Sequence, residues 1–279
     1  MSLDYLIPFA GQHAIQSAAF AMDFATQLDI GEVTRLRTAA DALKSDFPVI
    51  ADQHRTTLHM PVGPNHQVPT PSAIHDVGGF VMDRPAPSAP AGTTALRRII
   101  VSRENVVVII FDYTRWDKFK ADVERYLNVL LASINAQKGI ASIGLQITDA
   151  FNWNGDPAEM KVSEIFQPSS PYLALNAFNP ATSFWHSHHG YLVERESPMR
   201  YSQLDNINVS RSISDGVHRI EILTSHKASF DRPLYKVLDA NRSKIASVIE
   251  ALHLSNKAIL AALLSPEVQV KINLNPKAA

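Results

Sequence analysis

The chain switches its hydrophobic period in the same order twice, and this alternation limits the fold more than any other feature. From Ala14 to Phe24, Ala18, Phe20, Met22 and Phe24 share one face and Ser17, Ala19, Ala21 and Asp23 the other. That period of two predicts a strand with one packed face. From Ile30 to Phe47, apolar residues recur at steps of three and four (Ile30, Val33, Leu36, Ala40, Leu43, Phe47), the spacing of an amphipathic helix stopped by Pro48. Leu96–Ser102 and Val106–Phe111 then predict a β-hairpin around Arg103-Glu104-Asn105, with the continuous run Val107–Ile110 as a central strand. Trp116, Phe119, Val123, Tyr126, Leu127, Leu130 and Ile134 form the stripe of a long helix, with Thr114 as cap and Asp117 in the capping-box position.

The second half repeats the order. Ile140–Phe151 alternates as a strand, and Ala158–Phe166 predicts a short helix. Three strands follow: Ser183–Glu194, Tyr201–Ser212 and Val217–Ser225, with Asp215-Gly216 turning between the last two. Pro233–Leu264 closes the chain as a helix, capped by Ser229 or Asp231. The expectation is an α+β fold of two pseudo-repeated β-α-β(n)-α units, residues 1–137 and 138–279, in one compact unit. Joined edge to edge, they make a curved antiparallel sheet with helices on one side, the general shape of the TATA-binding protein and helix-grip folds. Residues 61–93 hold seven of the seventeen prolines, so an insertion of loop and short edge strand, with Gly79–Met82 as one such strand, is expected there, and high mobility with it.

Composition removes several classes of chemistry. With 26 Lys and Arg against 27 Asp and Glu, the net charge of −1 supplies no global field for nucleic acid or an acidic membrane. The absence of cysteine excludes disulfides, thiolate metal sites and cysteine nucleophiles. No P-loop, G-x-G-x-x-G, G-x-S-x-G or H-E-x-x-H motif is present, so no cofactor is expected. The first basic residue is Arg35 and no run of 18 apolar residues exists, so a cytoplasmic protein without a signal peptide or spanning helix is expected.

A set of short motifs carries a resemblance. They are Ala14-Ile15, Asp23-Phe24-Ala25, Phe47-Pro48, Asp112-Tyr113-Thr114-Arg115-Trp116-Asp117-Lys118-Phe119, Ile143-Gly144-Leu145-Gln146-Ile147, Leu204-Asp205, Leu252-His253 and Asn256-Lys257. With them the chain resembles a sporadically distributed, functionally uncharacterised family of bacterial and archaeal proteins, often met near mobile elements. Ser142 and Gln146 stand where that family usually carries arginines. The resemblance implies a prokaryotic protein of unknown activity and assigns no catalytic residue.

The residues themselves offer a few candidate sites. In Trp185-His186-Ser187-His188-His189-Gly190-Tyr191, His186 and His188 share a strand face about 7 Å apart, as two metal ligands could, with Asp205 or His218 as a third. Glu194 makes the segment loosely cupin-like, but one residue out of spacing. Trp185, His189 and Tyr191 fall on the other face, as a ligand or partner surface or as core. Arg97, Arg98 and Arg103, with Arg195, Arg200 and Arg211, could place arginines on the concave face, or protect edge strands. Asp149 and Asp156, with Asn152, Asn154 and Gly155, read as a polar turn. Trp116 reads as a helix anchor, whose loss would cost about 3–5 kcal/mol if fully buried. Together these favour a non-enzymatic binding or regulatory protein acting on a protein partner or small ligand. A metal-dependent enzyme using His186 and His188 and a nucleic-acid-binding saddle are the alternatives, and homodimer formation is left open.

Overall fold

The computed structural model describes residues 2–59, 72–87, 95–179, 181–182, 184–214 and 216–274. Ten strands form one antiparallel sheet: β1 (Leu6–Pro8), β2 (Ile15–Phe24), β3 (Val49–His59), β4 (Ser72–Pro85), β5 (Ala95–Ser102), β6 (Asn105–Ile110), β7 (Ile140–Trp153), β8 (Trp185–Arg195), β9 (Tyr201–Ser214) and β10 (Val217–Leu234). The sheet is open and curved, in the order β3-β4-β5-β6-β2-β7-β10-β9-β8, with β1 beside the far end of β7. It runs unbroken from the first half of the chain into the second through the β2–β7 pairing, where Phe20 faces Leu145 and Ala18 faces Ile147. The helices α1 (Ile30–Ala39), α2 (Trp116–Leu131), α3 (Val162–Ile165), α4 (Arg242–Leu263) and α5 (Pro266–Lys271) complete the chain. α1, α2 and α4 cover one face of the sheet, giving a mixed α+β fold.

Strand alternation held where both neighbours are strands. Phe20, Met22, Val108, Ile99, Leu145 and Ile147 are all buried on the helix side. The proline-rich segment departs from expectation. Ser72–Pro85 is a full strand paired with β3 and, from Gly79 on, with β5 as well, and not a short edge strand. Its prolines lie at or beyond its ends, where no ladder hydrogen bond is lost. Gly79 takes a φ of 150°, and a Cβ there would meet the Val101 carbonyl oxygen at 1.9 Å, so glycine is required where β4 bends against β5. Residues 60–71 and 88–94, the rest of the segment expected to be mobile, lie outside the described residues, as do Ser183 and Asp215.

The helix ends also shift. α1 stops at Ala39 and tightens into a 3-10 turn, Ala40–Leu43, that still buries Leu43. Its start is a capping box, with Asp29 accepting from the Glu32 amide and Glu32 from the Asp29 amide. α2 is capped by Arg115 with no side-chain bond, not by Thr114. α4 starts at Arg242, because β10 continues through Ser229, Asp231 and Pro233 before the chain turns. By length and hydropathy alone α4 is long and apolar enough to cross a membrane, a test that the core helix of a globular domain also passes. Here Ile245, Val248, Leu252, Ile259 and Leu263 are buried among β7, β10 and the segment around α3.

The core divides into two apolar clusters. One joins β2, β4–β6, α1, α2 and the first half of α4; the other joins the far ends of β7, β9 and β10 to α3, α5 and the last turns of α4. Arg97 belongs to the first. Its guanidinium is 4% exposed and donates to Asp112 at 2.8 Å, to Asp122 at 2.9 Å and to the Tyr126 hydroxyl at 2.8 Å, tying β5 to α2. It is therefore neither a phosphate contact nor edge protection. We expect Arg97→Leu to leave Asp112 without its partner, while Asp122 keeps Lys118, and to lower stability by about 3 kcal/mol, seen as a drop in the urea midpoint with an unchanged slope.

Candidate functional site

Between the two clusters the helix side of the sheet turns polar. β7, β10 and β9 point Asp149, Thr224, His226, Asp205 and Gln203 toward α4, which answers with His253, Ser255 and Asn256. Thr224 donates its hydroxyl to Asn256 Oδ1 at 2.6 Å. Gln203 donates to both oxygens of Asp205, at 2.8 and 3.0 Å, and to Ser255 Oγ at 3.0 Å. His226 Nδ1 lies 2.6 Å from Asp205 Oδ1, so that nitrogen carries the proton. Every one of these side chains except His253 and Ser255, which are half-buried, is at most 2% exposed.

Asp149 breaks the pattern. It is 2% exposed, yet its Oδ2 has no hydrogen-bond partner. It is part of β7 and not of a turn, because the strand runs on to Trp153 between β1 and β10. Asp156, seven residues on, instead caps a 3-10 turn, so the two carboxylates are not a pair. Burial alone pushes the Asp149 carboxyl up to about 7. The acid lines a cleft of about 430 Å³, partly open to solvent, with His13, Tyr113, Trp116, His253 and Lys257 among its walls. That volume lies within the range of small-molecule sites.

The walls come from four separate segments. His13 precedes β2, and its ring meets Tyr113 edge-on at 5.4 Å. Burial lowers its affinity for a proton, partly offset by backbone hydrogen bonds to Tyr113 and Ile15, and its Nδ1 is buried without a partner. Burial, reinforced by the charges of Asp149 and Asp117, raises the Tyr113 hydroxyl. Trp116 stacks on His253 at 3.9 Å and on Phe119 at 5.4 Å, while its Nε1 donates to Glu250 at 2.8 Å. Burial, opposed by Glu250 and reinforced by Lys257, Lys120 and His226, pushes His253 down to about 4, so its imidazole is neutral at physiological pH. Thr114 and Arg115 complete the mouth, together with Lys257.

The side chains singled out from the sequence fall elsewhere. His186 and His188 are exposed on the uncovered face, opposite Ser210 and Asn208. Asp205 and His218, the suggested third ligands, point to the helix side, so alternation sets them on the wrong face for that pair. Among the described residues no three His, Cys, Asp or Glu side chains are placed to share a metal ion. Trp185, His189 and Tyr191 do share the helix side and are half-buried. Tyr191 stacks on Tyr172, and His189 bonds Ser187 at 3.2 Å.

The arginines are not gathered on the open face. Arg195 bonds Gln203 and Arg211 is buried beside Pro157, both on the helix side, while Arg103 holds the Leu28 carbonyl. Arg200 pairs with Glu196 and Asp231, and Arg98, on the open face, is paired with Asp83. Ser142 and Gln146 also lie on the uncovered face, where Ser142 donates to Asp23.

The site was missed as a site, although its parts were visible. Tyr113, Thr114, Arg115, Trp116, His253, Asn256 and Lys257 all belong to the motifs on which the resemblance rests, and they converge on this cleft. No family model and no curated protein matches the chain.

Two expectations follow. As pH rises from about 4 to about 7, the unfolded chain ionises Asp149 while the folded chain keeps it protonated, so stability is lost across that window and not above it. Asp149→Asn removes this loss. Its unfolding free energy should exceed the parent's by a margin that grows from pH 4 to pH 7 and then levels, reaching roughly 4 kcal/mol in denaturant titrations. His253 destabilises both proteins as pH falls from its ordinary range toward 4 and cancels in the difference. Trp116 is only half-buried, so Trp116→Ala should cost about 2 kcal/mol by chemical denaturation, less than a fully buried ring would.

Proposed function

We propose that this is a non-enzymatic binding protein that takes a small molecule into the Asp149 cleft. The observation that carries this reading is a buried carboxyl, one of its oxygens unpartnered, on a residue that lines an accessible cavity. An uncompensated buried acid destabilises the fold, and a site that tolerates it gains that energy back when a ligand supplies the missing partner. The cleft has neutral imidazoles and hydrogen-bonding groups but no nucleophile set against a base, which favours binding over catalysis.

Membership of the mobile-element-associated prokaryotic family is part of the proposal, supported by the convergence of its motifs on one cavity. So are the pseudo-repeat and the saddle shape, supported by the strand order. There β2 and β7 are central and β6, β5 and β4 on one side correspond to β10, β9 and β8 on the other. A nucleic-acid role gains little from the open face. Its cations Lys227, Arg98 and Arg219 are each within ion-pair distance of a carboxylate.

Equilibrium dialysis against a pooled metabolite extract, read by mass spectrometry, tests the reading. The parent should retain a small molecule that Thr114→Trp, which fills the cleft from its exposed wall, does not. Equal retention by both would place binding elsewhere and sink the proposal.

A further inference from the structure

The cleft has an acid at its base and cations at its mouth. Asp149 is the buried group; Arg115 is exposed and Lys257 half-buried. Neither Arg115 nor Lys257 has a carboxylate partner among the described residues, in contrast to Lys120 beside them, which pairs with Glu250 at 2.9 Å. A ligand that satisfied only one end would leave the other uncompensated. A purely anionic ligand would sit above an acid that cannot ionise comfortably, and a simple amine would meet two positive charges on entry. Resting on the small-molecule reading of this cleft, we infer that its ligand is a small zwitterion of the α-amino-acid class, with its ammonium group on Asp149 and its carboxylate on Lys257 and Arg115.

The chemistry around Asp149 fits that division. The titratable groups that line the cleft with it are Tyr113, whose hydroxyl feels the Asp149 charge, the His13 and His253 imidazoles, Lys257 and Arg115. Burial holds both imidazoles toward the neutral form, so no fixed cation occupies the place of the ligand's ammonium. The unpartnered Nδ1 atoms of His13 and His253 can accept from that ammonium once their other nitrogens carry the proton. When the ammonium docks, Asp149 is driven to its ionised form. The acid O–H bond breaks and its proton passes to solvent, leaving a carboxylate paired with the bound cation. Binding near pH 7 is therefore coupled to release of a fraction of a proton.

The test uses the twenty common amino acids one at a time at 1 mM in a thermal-shift assay. The strongest hit is then titrated by calorimetry beside its decarboxylated amine and its deaminated acid. At least one amino acid should raise the melting temperature, and both truncated analogues should bind at least tenfold more weakly. Lys257→Gln should weaken the amino acid and the deaminated acid alike, while strengthening the amine, which then meets one positive charge fewer. Asp149→Asn, an isosteric change that removes a buried charge and so keeps the fold, should weaken the amino acid and abolish the proton release. That release is read as a dependence of the measured heat on the buffer's ionisation enthalpy. No shift with any amino acid, or a deaminated acid that binds as tightly as its parent, would overturn the inference. A different metabolite retained by the parent but not by Thr114→Trp would leave the small-molecule reading standing while this one fell.

Discussion

Helix α4 must cover a sheet surface that is polar at its middle, and the rest of the architecture is arranged around that contact. Asp149, Thr224 and His226 occupy inward positions on neighbouring strands, where a fold of this kind would ordinarily place Val or Leu. Each such group left bare would cost about 1–3 kcal/mol. Asn256 and Ser255 answer Thr224 and Gln203, and Asp205 answers His226, so most of the seam is satisfied. The pairings also fix the helix in place. Sliding α4 by one residue would move Asn256 off Thr224 and Ser255 off Gln203 together, a penalty that apolar contacts at Leu252 and Ile259 would not impose.

The seam keeps three buried atoms without partners, Asp149 Oδ2, His226 Nε2 and His253 Nδ1, near the end of the seam where α4 meets α2. At that end the ring stack of Phe119, Trp116 and His253 bridges α2 to α4, and the Glu250 carboxylate receives both the Trp116 indole and Lys120. Further along, Arg242 pairs with Glu124, so two ion-pair straps hold α2 to α4 across an apolar gap of about 370 Å³ lined by Phe20, Met22, Phe119 and Ile249. The two helices are joined by side chains reaching across space instead of by close packing. A helix pair held in this way can admit a ligand beside it with little rearrangement of the sheet below.

Local pattern was sufficient for the elements whose two faces differ. Phe20 and Met22 against Ala19 and Ala21, or Phe119, Val123 and Tyr126 along α2, carry their period in neighbouring residues, and the structure buries them accordingly. Edge and terminal segments were less legible. β3 begins Val49, Ile50, Ala51, Asp52, Gln53, with its apolar and polar residues grouped instead of alternating, and it pairs with one neighbour only. The end of β10 reads as a helix start in the sequence, because Asp231 and Pro233 are good capping residues in any context that allows a helix. Pairing of the preceding residues with β7 and β9 removes that context. Asp149 was hidden for the same reason. Followed by Asn152, Asn154 and Gly155 it reads as a turn, and only pairing on both sides of β7 turns that stretch into a buried strand. The cleft joins residues more than two hundred positions apart, His13 and His253 among them, so no local spacing could reveal it. The histidine-rich strand drew attention because its spacing was local, and alternation alone put its two best ligands on the face away from their partners.

All of this turns on Asp149 being dry, unpaired and reachable. The most direct measurement is a pH titration of the aspartate side-chain carboxyl carbons by carbon-13 NMR, with the Asp149 resonance assigned through Asp149→Asn. The account requires a midpoint near 7 for this carbon in the free protein. A midpoint near 4, the ordinary range of a solvated aspartate, would show that the carboxyl has water or a counter-charge, and the site built on it would not stand.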